Sequence, residues 1–200
     1  MAPTSSSLCF LRLSALGDVT HVMPLLRTVQ AARPDTPIHW IIDKAGLKLL
    51  EGLPGVTFHA YDKKTGVAGM KALRATLPPG RFEALLQMQV AFRANVLSAF
   101  VPAARRIGYD RSRSKDLHGL FINERIPDRP GIHVLDAIGS FCEPLGMKQA
   151  QVRWDLPVPE DAHAWARAQW EDDGRPVLMI SPCSSHVRRN WYADRYAAVA

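Results

Sequence analysis

An apolar segment near the N-terminus runs into a short Ser-Ala-Leu-Gly-Asp sequence and then into an amphipathic helix. Residues 8–13 are mostly apolar and of strand length, and Val22, Leu25, Leu26 and Val29 follow the i, i+3, i+4, i+7 spacing of one helix face. A strand that passes through a glycine into a helix opens a Rossmann-like unit. Because the first N–H groups of a helix have no partner within it, such a turn presents orphan donors and a positive helix end to a cleft. The N-terminus therefore predicts an α/β fold with a ligand site after the first strand.

The chain continues as an alternation of strand-like and helix-like segments, which predicts a mostly parallel sheet with crossover helices. We expect strands at 8–13, 38–42, 56–60, 82–87 and 106–109. We expect helices at 19–32, 44–51, 67–77, 91–100 and 133–145.

A proline-punctuated segment, Trp154-Asp155-Leu156-Pro157-Val158-Pro159, is typical of an interdomain linker. We expect a Rossmann-like domain over residues 1–150, a linker over 151–159, and the start of a second Rossmann-like domain over 160–200. That second unit predicts a helix at 160–172, an apolar strand at 176–181 and a helix from Trp191 onward. About forty residues are too few to close an α/β domain, so we expect the chain to be part of a two-domain protein.

The cysteine count and the N-terminus indicate a cytoplasmic protein. Three cysteines, Cys9, Cys142 and Cys183, share no metal-like spacing and are odd in number, which argues against a disulfide framework or a zinc site. The apolar runs are shorter than the roughly 18 residues that span a bilayer. The opening Met-Ala-Pro-Thr-Ser-Ser-Ser has no basic region of the kind that begins a signal peptide.

Positive charge is concentrated in the middle of the chain. The formal net charge is +6, and residues 63–115 carry 11 basic side chains against two acids, Glu83 and Asp110. Such a zone indicates an anionic partner, which could be nucleic acid, a phosphorylated glycolipid or an acidic membrane surface. A solvated basic surface would have the same composition, so charge alone leaves these alternatives open.

Asp18 has two interpretations: an N-cap of the first helix, which its spacing alone favours, or a reactive group at the mouth of the turn. The string R-L-S-A-L-G-D-V-T-H-V-M-P-L-L-R over residues 12–27 resembles the opening of the lipopolysaccharide heptosyltransferases. These enzymes are glycosyltransferase family 9 and have a GT-B fold. The acid of the family's "LGD" turn is its proposed catalytic base, and Asp18 matches it.

The segment from Ser181 to Tyr192 is similar to the family's donor loop, in which a hydroxyl pair precedes a basic residue and a tryptophan. Ser184 and Ser185 match the hydroxyl pair, Arg189 the basic residue and Trp191 the tryptophan. Hydroxyl donors and positive charge beside a helix start suit a pyrophosphate. Arginine stands where many relatives have lysine, and it binds phosphate as a planar fork rather than as a point charge.

The resemblance also implies acceptor-binding residues in the middle of the chain. The family's acceptor-side segment matches only at Gln89 and Arg93 here, and loops in which relatives use basic residues on acceptor phosphates and carboxylates contain Lys63, Lys64, Arg111 and Arg113. We expect the basic zone to face the interdomain cleft. His21, one helical turn beyond Asp18, either shares its site or packs, and His133 begins a helix.

The resemblance implies an inverting transfer of heptose from ADP-heptose to the Kdo/heptose inner core of lipopolysaccharide. Asp18 would be the base, and Ser184, Ser185 and Arg189 would stabilise the departing diphosphate. The acceptor would be an anionic lipid A–Kdo molecule, reached by peripheral contact with the cytoplasmic face of the inner membrane. GT-B enzymes generally bind no metal, and the sequence contains no Asp-x-Asp motif, so neither a metal nor another cofactor is expected.

Three other functions compete with this one. Another GT-B sugar-nucleotide transferase is the first alternative. A nicotinamide-dependent oxidoreductase needs Gly-x-Gly-x-x-Gly after the first strand, where only Gly17 stands. A nucleic-acid-binding module fits the pI near 9.5, but the chain has no aromatic-basic RNA motif and no helix-turn-helix signature.

Overall fold

The computed structural model describes residues 6–149, 152–169, 174, 177–184 and 186–200. The chain divides into two compact units, Met1–Pro157 and Val158–Ala200. Each is described by itself below.

The first unit is built on one parallel sheet, as the alternation of segments predicts. Its strands are β1 (Leu8–Leu11), β2 (Ile38–Ile42), β3 (Val56–Ala60), β4 (Phe82–Gln87), β5 (Ala103–Gly108) and β6 (Glu124–Arg125). Their spatial order is β3-β2-β1-β4-β5-β6, with every neighbouring pair parallel. The order therefore reverses between β1 and β4, and open α/β sheets bind ligands outside the carboxyl ends of the strands at such a switch point.

Helices cover both faces of this sheet. They are α1 (Leu16–Thr20), α2 (Met23–Ala32), α3 (Lys44–Leu50), α4 (Gly66–Thr76), α5 (Phe92–Ala99) and α6 (Val134–Gly139). Successive side chains of a strand point to opposite faces, so Leu8 and Phe10 lie in one apolar cluster and Cys9 and Leu11 in the other. The first cluster includes the buried faces of α2 and α6, and the second includes those of α4 and α5.

Two predicted helices each change conformation a few residues before a proline. The helix expected at 19–32 is instead α1 followed by α2, and Pro24 lies in the first turn of α2. Proline has no N–H to donate, but the first turn of a helix requires none. The helix expected at 133–145 ends at Gly139 and continues as a 3₁₀ helix over Ser140–Leu145 that contains Pro144.

The second unit contains two helices, α7 (Glu160–Ala168) and α8 (Ala193–Val199), and a 3₁₀ turn over Val187–Arg189. The strand expected at 176–181 is not formed over its described part, 177–181, and the predicted helix from Trp191 begins at Ala193. A strand needs a neighbour for its backbone N–H and C=O groups, and the described residues of this unit include no other strand. Val177, Leu178, Met179 and Ile180 are accordingly exposed.

Across the described ranges, every helix is too short or too polar to cross a bilayer.

Candidate functional site

Arg12 joins three parts of the switch point. It follows β1 directly, and its guanidinium donates to the backbone oxygen of Met88, the residue that follows β4. The same guanidinium forms an ion pair with Asp18. The indole Nε1 of Trp40 in β2 donates to the backbone oxygen of Arg12 at 3.1 Å. Arg12 is not among the site residues predicted from the sequence, although a charged residue that ends an apolar strand is a recognisable signal.

Asp18 is the third residue of α1, and the N-cap of that helix is Ala15. The interpretation of Asp18 as the N-cap is therefore wrong. Alanine has no side-chain acceptor, and Asp18 Oδ2 instead accepts the N–H of Ala15 at 3.3 Å. The carboxylate is 37% exposed, so it is anchored at one side and open to solvent at the other.

Gly17 lies inside α1, outside the left-handed backbone region. The sequence pattern predicted that the chain turns through this glycine, and the structure shows that it does not. A Cβ placed on Gly17 would meet no atom within 4 Å.

A cavity of about 240 Å³ opens beside Arg12, lined by Arg12, Val90, Tyr109, Arg113, Ile132, Val134 and Ala137. Its polar groups include the phenol of Tyr109, which donates to Met88 O at 3.5 Å. Burial raises the pKa of Tyr109 to about 12. The phenol is therefore a neutral hydrogen-bond donor at neutral pH.

Two histidines meet edge to face, with the ring centroids of His21 and His133 5.9 Å apart. His133 is the N-cap of α6, and its Nδ1 accepts the N–H of Leu135 at 3.2 Å. The prediction that His133 begins a helix is confirmed. The Nδ1 atom of His21 is buried without a hydrogen-bond partner in the described part of the chain.

Three predicted acceptor residues come together at the ends of β2 and β3. An open cleft of about 440 Å³ there is lined by Asp43, Lys44, Ala45, Tyr61, Asp62, Lys63 and Lys64. Lys63 Nζ lies 3.7 Å from Asp43 Oδ2, whereas the Lys64 side chain forms no ion pair with any described residue. Arg93 donates to the backbone oxygen of Lys63 at 2.8 Å, so α5 is joined to this loop.

Arg111 and Arg113 differ although they are two residues apart. Arg113 pairs with the buried Asp110 and donates to the backbone oxygen of Arg129 at 2.9 Å. Burial by itself raises the pKa of Asp110, but hydrogen bonds from Ser112 and Arg113 outweigh it and hold that pKa below its usual range. Arg111 is exposed and forms no ion pair within the described ranges. The Arg113 side chain is thus bound within the protein, whereas the Arg111 side chain is free to bind an anionic ligand.

The basic residues of the zone over 63–115 differ in how far the protein itself binds their side chains. Arg106 donates to the backbone oxygens of Val101 and Phe121, both at 2.8 Å, and to that of Ser98 near the end of α5. Arg105 pairs with Glu124 at 2.7 Å. The guanidinium groups of these two arginines are engaged by backbone oxygens and by Glu124, so we do not expect them to bind a ligand.

Gln89 lies just beyond β4 and supports the carboxyl ends of the strands. Gln89 Oε1 accepts the N–H of Leu13 at 2.8 Å and so ties the ends of β1 and β4 together.

His118, buried beside Asn95, has its Nδ1 2.9 Å from Asn95 Oδ1. Burial, reinforced by the charge of Arg125, lowers the pKa of His118 to about 4. His118 is not among the site residues predicted from the sequence, and no motif marks it.

The predicted donor loop lies in the second unit and is held by its own side chains. The N–H of Ser184 donates to Asn190 Oδ1 at 2.7 Å, and Ser184 Oγ accepts the N–H of His186 at 3.3 Å. Arg189 is exposed and unpaired with any described acid. Ser185 lies outside the described residues.

Among the described residues, no three His, Cys, Asp or Glu side chains are grouped so that they could hold a metal ion.

The family model for glycosyltransferase family 9 (heptosyltransferase) matches residues 70–200. A curated relative, lipopolysaccharide core heptosyltransferase OpsX of Haemophilus influenzae, is 42% identical over 194 residues, which are 97% of this chain and 56% of the relative. The chain therefore spans about half the length of that relative.

Solved structures share the fold. A family 9 glycosyltransferase of Veillonella parvula superposes with a TM-score of 0.79 at 20% identity, covering 100% of this chain and 60% of that one. E. coli heptosyltransferase WaaC with ADP-2-deoxy-2-fluoro heptose gives 0.65 at 20% identity, covering 74% of this chain and 51% of that one. The fold is thus the α/β, GT-B type, and by the family match this chain belongs to glycosyltransferase family 9, the heptosyltransferases.

Proposed function

We propose that the full-length protein is an inverting glycosyltransferase that moves heptose from ADP-heptose to the Kdo/heptose region of the lipopolysaccharide inner core. The observation that carries the proposal is the anchored, partly open carboxylate of Asp18 at the switch point of a family 9 chain. The relative named for lipopolysaccharide core heptosyl transfer supports the acceptor. WaaC, whose structure holds an ADP-heptose analogue, supports the donor.

In the proposed reaction Asp18 takes the proton of the acceptor hydroxyl as that oxygen attacks C1 of the heptose. The new C–O bond forms while the bond from C1 to the diphosphate breaks, and ADP leaves with the electron pair. A single displacement of this kind inverts the configuration at C1. Ser184, Ser185 and Arg189 would stabilise the charge on the departing diphosphate through hydrogen bonds and positive charge.

The acceptor would bind to the domain formed by residues 1–150, and residues 160–200 would begin the donor domain. One basic group for acceptor phosphates or carboxylates consists of Lys63, Lys64 and Arg93. Arg111 is a second contact for the same groups. The loops are held in place by Gln89 and Arg113. A lipid acceptor places the enzyme at the cytoplasmic face of the inner membrane. Flotation with anionic vesicles tests that location.

Incubation of the full-length protein with ADP-heptose and a Kdo-terminated lipid A acceptor tests the proposal. We expect release of ADP and an acceptor whose mass has increased by one heptose. ADP-glucose and UDP-glucose in place of ADP-heptose are the controls. Faster turnover of either control sugar would instead support another GT-B sugar-nucleotide transferase.

A further inference from the structure

The two oxygens of the Asp18 carboxylate have different surroundings. Oδ2 pairs with the guanidinium of Arg12 and also accepts the N–H of Ala15 at 3.3 Å. Oδ1 accepts no hydrogen bond from any residue that the structure describes. The Asp18 side chain is 37% exposed, and Oδ1 is its oxygen left without a partner among the described residues.

Arg12 is itself fixed more firmly than a surface arginine. Its side chain is only 12% exposed, and a second guanidinium nitrogen donates to Met88 O at the end of β4. Its backbone is held on both sides, since its N–H donates to Ile41 O at 3.3 Å and its oxygen accepts from Trp40 Nε1 at 3.1 Å. The planar fork of a guanidinium fixes direction as well as distance. Arg12 therefore sets the orientation of the Asp18 carboxylate relative to the ends of β1 and β4.

We propose that Arg12 is a positioning residue for glycosyl transfer, which occupies Asp18 Oδ2 and so leaves Oδ1 as the atom that accepts the acceptor's proton. This inference rests on the proposed function, because it assigns the base a defined oxygen and a defined partner. Arg12 acts through Asp18 and makes no contact of its own with the reacting atoms.

Steady-state kinetics of the full-length enzyme test this role through kcat and the two KM values. We expect Arg12→Gln to lower kcat about 10- to 100-fold, because a misplacement of about 1 Å can cost as much as 100-fold, while both KM values stay within about threefold. Arg12→Lys keeps one positive charge but cannot bond to Met88 O and Asp18 as a fork, so its kcat should lie between those of the parent and Arg12→Gln. It also serves if Arg12→Gln folds poorly.

Arg33 supplies a matched control. It forms a partly buried pair with Glu83 at 2.5 Å, and Glu83 lies near the amino ends of the strands, where its N–H bonds to Ser7 O. Arg33→Gln removes a partly buried arginine–carboxylate pair at the amino ends of the strands, opposite the carboxyl ends where Arg12 and Asp18 lie. Its kcat should equal that of the parent.

The double variant Arg12→Gln/Asp18→Asn separates this inference from the proposed function. If Arg12 acts through Asp18, the double variant is no slower than Asp18→Asn alone, within about threefold, because residues that act as a unit are not additive. Fully additive losses, or a raised acceptor KM with unchanged kcat in Arg12→Gln, would overturn the positioning role and leave the base intact. Full activity in Asp18→Asn would overturn the base itself.

Discussion

His118 Nε2 accepts the backbone N–H of Tyr109 at 3.1 Å. This bond fixes the start of the loop that carries Arg111 and Arg113, because Tyr109 is the first residue after β5. Arg125 holds the same point from the other side by donating to Tyr109 O at 2.9 Å. The loop proposed to contact the acceptor is therefore anchored by a buried histidine that must stay neutral to accept this bond.

The free energy of unfolding should fall as the pH is lowered from about 6.5 to about 4. The pKa of His118 is lowered from 6.5 to about 4, so between these values the unfolded chain binds the proton and the folded chain does not. The stabilisation is complete above pH 6.5 and decreases by about 2 kcal/mol at pH 5. His59, whose pKa burial also lowers to about 4, adds to the same dependence.

Urea unfolding at pH 7.5 and pH 5 measures this difference. His118→Gln should make the pH dependence smaller, whereas the exposed His163→Gln on α7 should leave it as in the parent. An unchanged pH dependence in His118→Gln would contradict the account.

Arg111→Ala and Arg113→Ala should separate binding from stability. Arg111 is exposed and unpaired in the described part of the chain, so its loss should raise the acceptor KM several-fold and leave the melting temperature unchanged. Arg113→Ala leaves the buried carboxylate of Asp110 without its cation, which should cost about 2–3 kcal/mol of stability. Equal effects of the two variants on both the melting temperature and the acceptor KM would show that the distinction is wrong.

Gly17→Ala should stabilise the fold and weaken acceptor binding. A Cβ at Gly17 meets nothing within 4 Å, and alanine is favoured over glycine within a helix by about 0.5–1 kcal/mol. The added methyl enters open space at the start of α1, next to Asp18 in the chain, and should raise the acceptor KM.

Gly52→Ala is the matched control for this substitution. Its Cβ would also meet nothing, but its φ of +82° disfavours alanine, so the variant should be less stable and normally active. A loss of stability in Gly17→Ala would contradict the helical conformation described here.

The strands of the sheet could be predicted from the sequence wherever burial leaves an apolar run. The expected bounds of β2, β3 and β4 agree with the structure. β6 has only two residues, Glu124 and Arg125, and is too short to leave a pattern. The strand expected at 176–181 is not formed over its described part, 177–181. An apolar run forms a strand only where a neighbouring strand pairs with its backbone groups.

The candidate site was only partly predictable, because the partners of its residues come from distant parts of the chain. The family motif pointed to Asp18 as the candidate base, whereas local spacing favoured Asp18 as the N-cap, a position that Ala15 takes in the structure. The partners of Arg12 and Arg113 are backbone oxygens and acids that the fold brings near, such as Met88 O, which lies 76 residues from Arg12. Charge density along the sequence could not distinguish the paired Arg113 from the exposed Arg111.

Asp18→Asn tests the central claim most directly, through kcat of the full-length enzyme with ADP-heptose and a Kdo-terminated acceptor. Asparagine keeps an oxygen for the N–H of Ala15 but is a far weaker base, and a general base contributes about 10²–10⁴-fold. We expect kcat to fall by that factor with a near-normal melting temperature, while the exposed Asp35→Asn remains fully active. A kcat within about threefold of the parent in a folded Asp18→Asn protein would contradict the assignment of Asp18 as the base.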